Sequence, residues 1–219
     1  SYAVDYDGII NGILQGQGTR MHGPIPEGMW GRDLDAKVYD HDLDKAKALL
    51  KEAGVGKLKL GYLYAQQDPN WEPIGLAIQA NLAEIGIQVE MQNYAYATMR
   101  DKLGKGDFDM AAGNWTPDFA DPYMWMNSWF DSNYQGLPGD RAFYVNPKVD
   151  ELVRKAATLT DRDERTKLYN EAEKITDEEA PYVYLFQKND LVLMRHEVKG
   201  FVYNPMLLQV YNFETMSKS

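Results

Sequence analysis

The sequence contains no cysteine and only three histidines among its 219 residues. The absence of cysteine excludes a disulfide framework, thiol catalysis and a thiolate metal site. His22, His41 and His196 are scattered, and none has a second histidine or a carboxylate at a recognised metal-ligand spacing. We therefore expect the protein to use neither a metal nor another cofactor.

Long apolar runs and basic clusters are also missing. No apolar run approaches the roughly 20 residues that a membrane-spanning helix requires. The 33 acidic and 23 basic residues give a net charge of −10, which argues against nucleic acid as a partner because phosphate binding requires a basic surface. Residues 1–5 show neither the positive charge nor the apolar stretch of a signal peptide. This start indicates either a cytosolic protein or a chain from which a leading segment has been removed.

Motifs of the common nucleotide-binding and hydrolase classes are absent as well. Gly16-Gln17-Gly18 does not form a dinucleotide fingerprint, because no strand precedes it, and no phosphate loop or nucleophile elbow occurs. Asp118 and Asp121 could serve as the acid and base of a glycosidase-like hydrolase. Asp121, however, is better explained as the N-cap of a helix with Pro122 at its first position.

Hydrophobic periodicity predicts an α/β fold. Apolar alternation predicts strands over 57–64, 87–92 and 108–112, and helical spacing predicts the helices between them, around 71–85 and 96–104. Because crossovers of this length join parallel neighbours, we expect a largely parallel sheet. Further helices are predicted after an N-cap at Asp5, from a cap at either Asp40 or Asp42 to Ala53, through Trp125 and Trp129, from Asn146-Pro147 and from Thr160. Residues 16–40 are predicted to be irregular, and strands are predicted at 182–185 and 191–194.

Large side chains are abundant, with 15 Tyr, five Trp, seven Phe and ten Met. Aromatic residues with polar atoms often line ligand clefts, although most such residues belong to a core. Asp118 lies just past the carboxyl end of the third predicted strand, where open α/β sheets place their ligands, and Trp115 and Phe119 flank it. A lone carboxylate beside aromatic rings is a good receptor for a ligand ammonium group. An exposed loop aspartate without a ligand fits the spacing equally well.

Several segments resemble, in order along the chain, the C-terminal half of the bacterial ABC-transporter extracellular solute-binding proteins of family 5, the dipeptide, oligopeptide and nickel class. They include Gly23-Pro24-Ile25-Pro26, residues 39–54, Gly86-Ile87-Gln88-Val89, Trp115-Thr116-Pro117-Asp118 with Asp121-Pro122, Ala180-Pro181 and Val198-Lys199-Gly200-Phe201. The resemblance implies a type II periplasmic-binding-protein lobe with a mixed, largely parallel sheet flanked by helices.

The resemblance also implies a division of the chain. Residues 1–190 would form the C-terminal ligand-binding lobe, and residues 191–219 would return toward an absent N-terminal lobe. Apolar residues of this return segment would then lack their partner; they include Val202, Tyr203, Leu207, Leu208 and Tyr211.

The implied function is that of a receptor and not of an enzyme. The receptor would bind a peptide-like ligand between two lobes and deliver it to an ABC permease. By the family's pattern Asp118 pairs with the ligand's α-amino group, with Phe119 beside it, and Asn114, Trp115 and Thr116 offer backbone groups to an extended peptide. The resemblance further implies a monomer outside the cytoplasm, periplasmic or on the cell surface, with its signal peptide outside this chain and membrane contact only through the permease or a lipid anchor. A nickel chelate, haem, glutathione and a sugar are alternative ligands on this scaffold.

One loop departs from the family's pattern. Dipeptide-specific relatives carry an arginine near residues 66–70 that binds the ligand carboxylate. Here the loop is Gln66-Gln67-Asp68-Pro69-Asn70, without an arginine. This departure argues against strict dipeptide specificity and leaves longer peptides and non-peptide solutes compatible.

Overall fold

The computed structural model describes residues 1–206 and 211–219. Its central element is a three-stranded parallel sheet in the order β3-β2-β4. The strands are β2 (Leu58–Tyr64), β3 (Ile87–Asn93) and β4 (Met110–Ala111), and the crossovers are α3 (Trp71–Ala83) and α4 (Tyr96–Lys105). The predicted strand and helix order and the parallel sheet are confirmed, although β4 is shorter than predicted.

The alternation of apolar and polar residues along the strands decides which face of the sheet is buried. In β3, Ile87 and Val89 are buried while Gln88 and Glu90 are exposed, as expected for a strand with one buried face. α3 approaches β2 closely at Gly75, where a Cβ atom would lie 2.3 Å from the Tyr62 ring. The sheet and α3 therefore enclose the first of two hydrophobic cores.

The N-terminal segment contains two helices that were predicted and one strand that was not predicted. α1 (Tyr6–Gly8) continues as a π-helical turn through Ile9–Ile13, and the carboxylate of Asp5 accepts a hydrogen bond from the Gly8 N–H at 2.8 Å. α2 (Leu43–Glu52) is capped by Asp42. The prediction that residues 16–40 are irregular is wrong at β1 (Gly18–Arg20), because this strand pairs antiparallel with a distant strand, β5 (Phe186–Lys188).

Three helices enclose the second core: α5 (Tyr123–Phe130), α6 (Pro147–Thr158) and α7 (Arg162–Glu179). The predicted start of α6 at Asn146-Pro147 is confirmed, and the structure shows that Asn146 caps the helix with Pro147 at its first position. The prediction that α7 begins at Thr160 is wrong by one residue, since Asp161 accepts the capping hydrogen bond from Glu164 N. Inside the core the Tyr169 hydroxyl donates to Asn127 Oδ1 at 3.0 Å.

The C-terminal segment differs from its prediction. No strand forms at 182–185, because Tyr182 and Tyr184 pack against the helical core and pairing starts only at Phe186. No strand forms at 191–194 either, where Leu191, Leu193 and Met194 are exposed. β6 (Val198–Lys199) instead pairs with β7 (Ser217–Lys218). Of the apolar residues expected to lack a partner, Val202, Tyr203 and Tyr211 are exposed, and Leu207 and Leu208 lie outside the described residues. No helix in the described ranges is long and apolar enough to cross a membrane.

Candidate functional site

The carboxyl ends of the three parallel strands meet at one edge of the sheet. The backbone extends this edge, since Tyr94 N donates to Tyr64 O at 3.0 Å and Ala112 N donates to Leu63 O at 2.9 Å. The segments that follow each strand therefore lie next to one another. This is the edge at which open α/β sheets bind ligands.

The predicted site residues 114–119 follow β4 at this edge. Asn114, Asp118 and Phe119 are exposed, whereas Trp115 and Thr116 are half-buried. Asp118 forms no ion pair with any residue that the structure describes. Its carboxylate is therefore open to solvent and available to a cation.

Phe119 lies over the first turn of α5. Its ring stacks on Tyr123 with centroids 6.3 Å apart and planes 24° from parallel. The Tyr123 hydroxyl is 2.7 Å from that of Tyr134, and this contact is the main reason that the pKa of Tyr123 is raised to about 12. Phe119 thus gives the edge a fixed apolar surface next to Asp118.

Trp115 belongs to a cluster that the sequence did not predict. Its ring meets Trp129 edge to face at 5.3 Å, and Trp129 meets Tyr182 in the same way at 5.4 Å. The Arg141 guanidinium carbon lies 5.0 Å from the Trp129 ring centroid and 6.0 Å from that of Trp115. We call Trp115, Trp129, Tyr182 and Arg141 the indole–arginine cluster. No sequence signal identified it, because its members come from four separate segments and meet only in the folded chain.

Asp121, the second carboxylate of the hydrolase alternative, is held in an ion pair. Its two oxygens accept hydrogen bonds from Arg165 Nη1 at 2.8 Å and Nη2 at 2.6 Å. Oδ1 also accepts from Tyr123 N at 2.9 Å, but the N-cap of α5 is Pro122 and not Asp121. The predicted boundary is wrong by one residue, because Pro122 precedes the helix and is not its first residue. Asp121 therefore fixes α5 against α7 and lacks the free carboxylate of a catalytic base.

A second group of carboxylates is buried on α7. Glu173 and Asp177 are almost fully inaccessible, and Asp33 N donates to Glu173 Oε2 at 3.4 Å. Burial raises the pKa of Glu173 to about 8 and that of Asp177 to about 7. Within the described residues no group of histidine, aspartate and glutamate side chains has the arrangement of a metal site.

Comparison with protein families and curated proteins gives clear likenesses. The family model described as "Bacterial extracellular solute-binding proteins, family 5 Middle" matches residues 1–136. The Probable D,D-dipeptide-binding periplasmic protein DdpA of Escherichia coli (strain K12) is 56% identical over 218 residues, which cover 100% of this chain and 42% of that protein. The Dipeptide-binding protein of the same strain is 30% identical and is covered over 41% of its length. The chain therefore spans less than half the length of the curated relatives it matches.

Solved structures with this fold include two peptide complexes. The periplasmic binding protein DppA from Helicobacter pylori in complex with the peptide STSA matches 99% of this chain and 42% of its own, with a TM-score of 0.87 and 30% identity. The oligopeptide-binding protein AppA from Bacillus subtilis, in complex with a nonapeptide, matches 100% of this chain and 46% of its own, with a TM-score of 0.86 and 25% identity. Both structures cover the whole architecture described above.

Proposed function

The chain belongs to the bacterial extracellular solute-binding proteins of family 5, and from this premise we propose that it forms one lobe of a peptide receptor for an ABC importer. Its fold is that of the periplasmic binding proteins, as the structural likenesses show. The observation that carries the proposal is the unpaired carboxylate of Asp118 at the carboxyl edge of the sheet. The α-ammonium group of a peptide supplies the positive charge with which the Asp118 carboxylate can pair.

Recognition of the peptide begins at its amino terminus. Asp118 accepts charge-assisted hydrogen bonds from the α-ammonium group. The exposed backbone at Asn114 and the half-buried Trp115 and Thr116 pair with the extended peptide as an added strand. Phe119 covers the first side chain of the ligand. Each of these contacts recognises a feature that all peptides share.

Transport then depends on closure and not on chemistry. Ligand contacts made by two lobes favour the closed form over the open form, and the permease receives the closed receptor. The ion pair between Asp121 and Arg165 supports this reading over hydrolysis, because it leaves Asp118 without a second free carboxylate. The receptor acts outside the cytoplasm as a monomer and contacts the membrane only through its permease or a lipid anchor.

Short peptides are the first ligands to examine. The 56% identical relative is named a probable D,D-dipeptide-binding protein, and other relatives are named for di- and tripeptides. A relative named Heme-binding protein A is 29% identical, so the ligand class needs direct measurement. Native mass spectrometry of the protein as purified distinguishes a retained peptide from haem, a nickel chelate, glutathione or a sugar by mass.

Replacement of the proposed ammonium receptor tests the function. We expect Asp118→Asn to weaken binding of D-alanyl-D-alanine by roughly 1.5–3 kcal/mol, the contribution of a hydrogen bond to a charged group. Asp44→Asn is the control, since Asp44 is an exposed aspartate on α2 without an ion pair among the described residues. Binding is measured by NMR titration of the ¹⁵N-labelled chain. Equal affinities of Asp118→Asn and Asp44→Asn, or cleavage of the peptide by the unmodified protein, would contradict the proposal.

A further inference from the structure

Arg141 differs from the two other arginines in the described chain whose Nε atom is buried without a hydrogen-bond partner. Three arginine side chains have a buried Nε atom without a hydrogen-bond partner: Arg20, Arg141 and Arg165. Arg20 pairs with Asp40 and Arg165 pairs with Asp121. Arg141 forms no ion pair with any carboxylate in the described residues and lies instead against the faces of Trp129 and Trp115. Its positive charge therefore lacks an anion.

Two further buried polar atoms near Arg141 lack a hydrogen-bond partner, and one of them, Asp140 Oδ2, is an acceptor. The indole Nε1 of Trp115 is also buried without an acceptor. The adjacent carboxylate, Asp140, is fully buried and turned to other groups, since its Oδ1 accepts from Tyr144 N at 3.2 Å and from the Tyr182 hydroxyl at 3.3 Å. Unpaired buried donors are costly, and a group that only accepts hydrogen bonds relieves that cost.

A second guanidinium adds to the positive charge. Arg100 is half-buried on the second turn of α4, beside Tyr96, and forms no ion pair among the described residues. Burial first, and then the charge of Arg100, lower the pKa of Arg141. Two guanidinium groups that repel each other gain most from an anion bound between them. Arg100 lies on the helix that follows β3, and Arg141 lies in the loop after α5 and contacts Trp115, which follows β4.

The loop that carries Arg141 is fixed to α4. Gly136 has a φ of +86°, and a Cβ atom there would lie 2.8 Å from Gly104 O. The side chain of Leu137 comes within 3.1 Å of a Cβ atom built at Gly104. Because backbone packs directly on backbone here, the positions of Arg141 and Arg100 are set relative to each other before any ligand arrives.

We propose that Arg141, with Arg100 beside it, binds the terminal carboxylate of the peptide whose amino group Asp118 binds. This inference rests on the proposed function and specifies which side chain binds the carboxylate at the other end of the ligand. The planar guanidinium of Arg141 gives a carboxylate two parallel N–H donors, and the indole rings hold it in place. The loop at residues 66–70, which follows the central strand β2, contains no cation, so the indole–arginine cluster supplies the positive charge. Peptides with a free carboxylate are thereby preferred over their amides.

The test compares D-alanyl-D-alanine with its C-terminal amide, titrated into the ¹⁵N-labelled 219-residue chain. The indole N–H signals of Trp115 and Trp129, assigned by Trp→Phe variants, report binding at the cluster even at millimolar affinity. We expect the unmodified chain to prefer the acid by about 10- to 100-fold. Arg141→Gln should abolish that preference without changing affinity for the amide, and Arg141→Lys should restore it in part. Arg162→Gln is the matched control, because Arg162 lies 5.2 Å from the Trp30 ring and forms no ion pair among the described residues.

The outcomes separate this inference from the proposed function. If Arg141→Gln weakens acid and amide equally, the side chain has a packing role only and the inference is wrong. If binding depends on Asp118 but the unmodified chain does not distinguish acid from amide, the inference fails and the proposed function stands. If neither compound binds, both are overturned.

Discussion

At the scale of single residues, Glu173 is notable because its carboxyl group is buried and one of its two oxygens lacks a hydrogen-bond partner. Its side chain is fully buried, Oε1 has no partner, and a Cβ atom at Gly23 would lie 2.1 Å from that oxygen. The charged groups facing it are Asp33 and Asp177, which disfavour its ionisation, and Arg32, which favours it slightly. Burial dominates, so the pKa of about 8 keeps the carboxyl group protonated at neutral pH.

This environment predicts how stability changes with pH. Glu173 binds its proton more tightly in the folded chain than in the unfolded chain, where its pKa is near 4.5. The contribution of Glu173 to the free energy of unfolding should therefore be largest below pH 4.5 and should fall as the pH rises to about 8. We expect Glu173→Gln to flatten this decline in urea unfolding at pH 5 and pH 8, with a difference on the order of a few kcal/mol.

Glu171→Gln is the control for that experiment, because Glu171 is exposed on the same helix. Asp177, whose pKa is about 7, adds a smaller decline over a lower range and is left in place in both variants. An unchanged slope in Glu173→Gln would show that the buried carboxyl group is ionised at neutral pH after all.

Residue-level prediction from the sequence succeeded where the signal is local. The position of Asp118 after a strand follows from the alternation of Phe108, Met110 and Ala112, and the caps at Asp5 and Asn146 follow from their own side chains. Arg141 could not be predicted in this way, since its significance depends on two tryptophans that only tertiary packing brings to it. The ligand-binding roles of Asn114, Trp115, Thr116, Asp118 and Phe119 stay predictions.

At the scale of elements, the connection between α5 and α6 decides how the indole–arginine cluster is held. At Gly139 a Cβ atom would lie 1.8 Å from Ser128 O, a backbone atom of α5 that cannot move aside as a flexible side chain would. We expect Gly139→Ala to destabilise the chain by about 1–3 kcal/mol, the usual cost of overpacking, and to broaden the indole signals of Trp115 and Trp129.

Gly56→Ala is the matched control for this loop variant, because a Cβ atom there meets nothing within 4 Å. Thermal unfolding of both variants measures the effect. If Gly139→Ala unfolds at the temperature of Gly56→Ala, the loop is free to shift and does not fix Arg141.

The elements that the sequence predicted well are those whose partners are close along the chain. α3 and β3 follow from periodicity and the turn at Gly86. β1 did not, because its three residues become a strand only by pairing with β5 at the other end of the chain. Tyr182 and Tyr184 alternate as in a strand, yet their rings pack against the helical core. Tertiary packing therefore overrides the local pattern.

At the scale of the whole molecule, the chain carries one side of the proposed cleft. It spans 42% of a relative that is 56% identical, and the closure proposed above would require ligand contacts from two lobes. We expect the 219-residue chain alone to bind short peptides weakly, with a Kd well above about 1 µM. Isothermal titration calorimetry measures this directly, with Asp118→Asn as the control for specific binding. Micromolar or tighter binding would show that this lobe needs no second surface.

The pairing of β1 with β5 has a consequence for the order of folding. Thr19 lies opposite Gln187, so the ladder closes a loop that contains about three-quarters of the 219 residues, and its entropic cost is met only after the intervening parts are in place. The helical hairpin of α6 and α7, whose contacts are local, precedes it. We therefore expect the ladder to form after the helical hairpin and to open before the parallel sheet, so that its amide protons exchange with solvent earlier than those of the sheet.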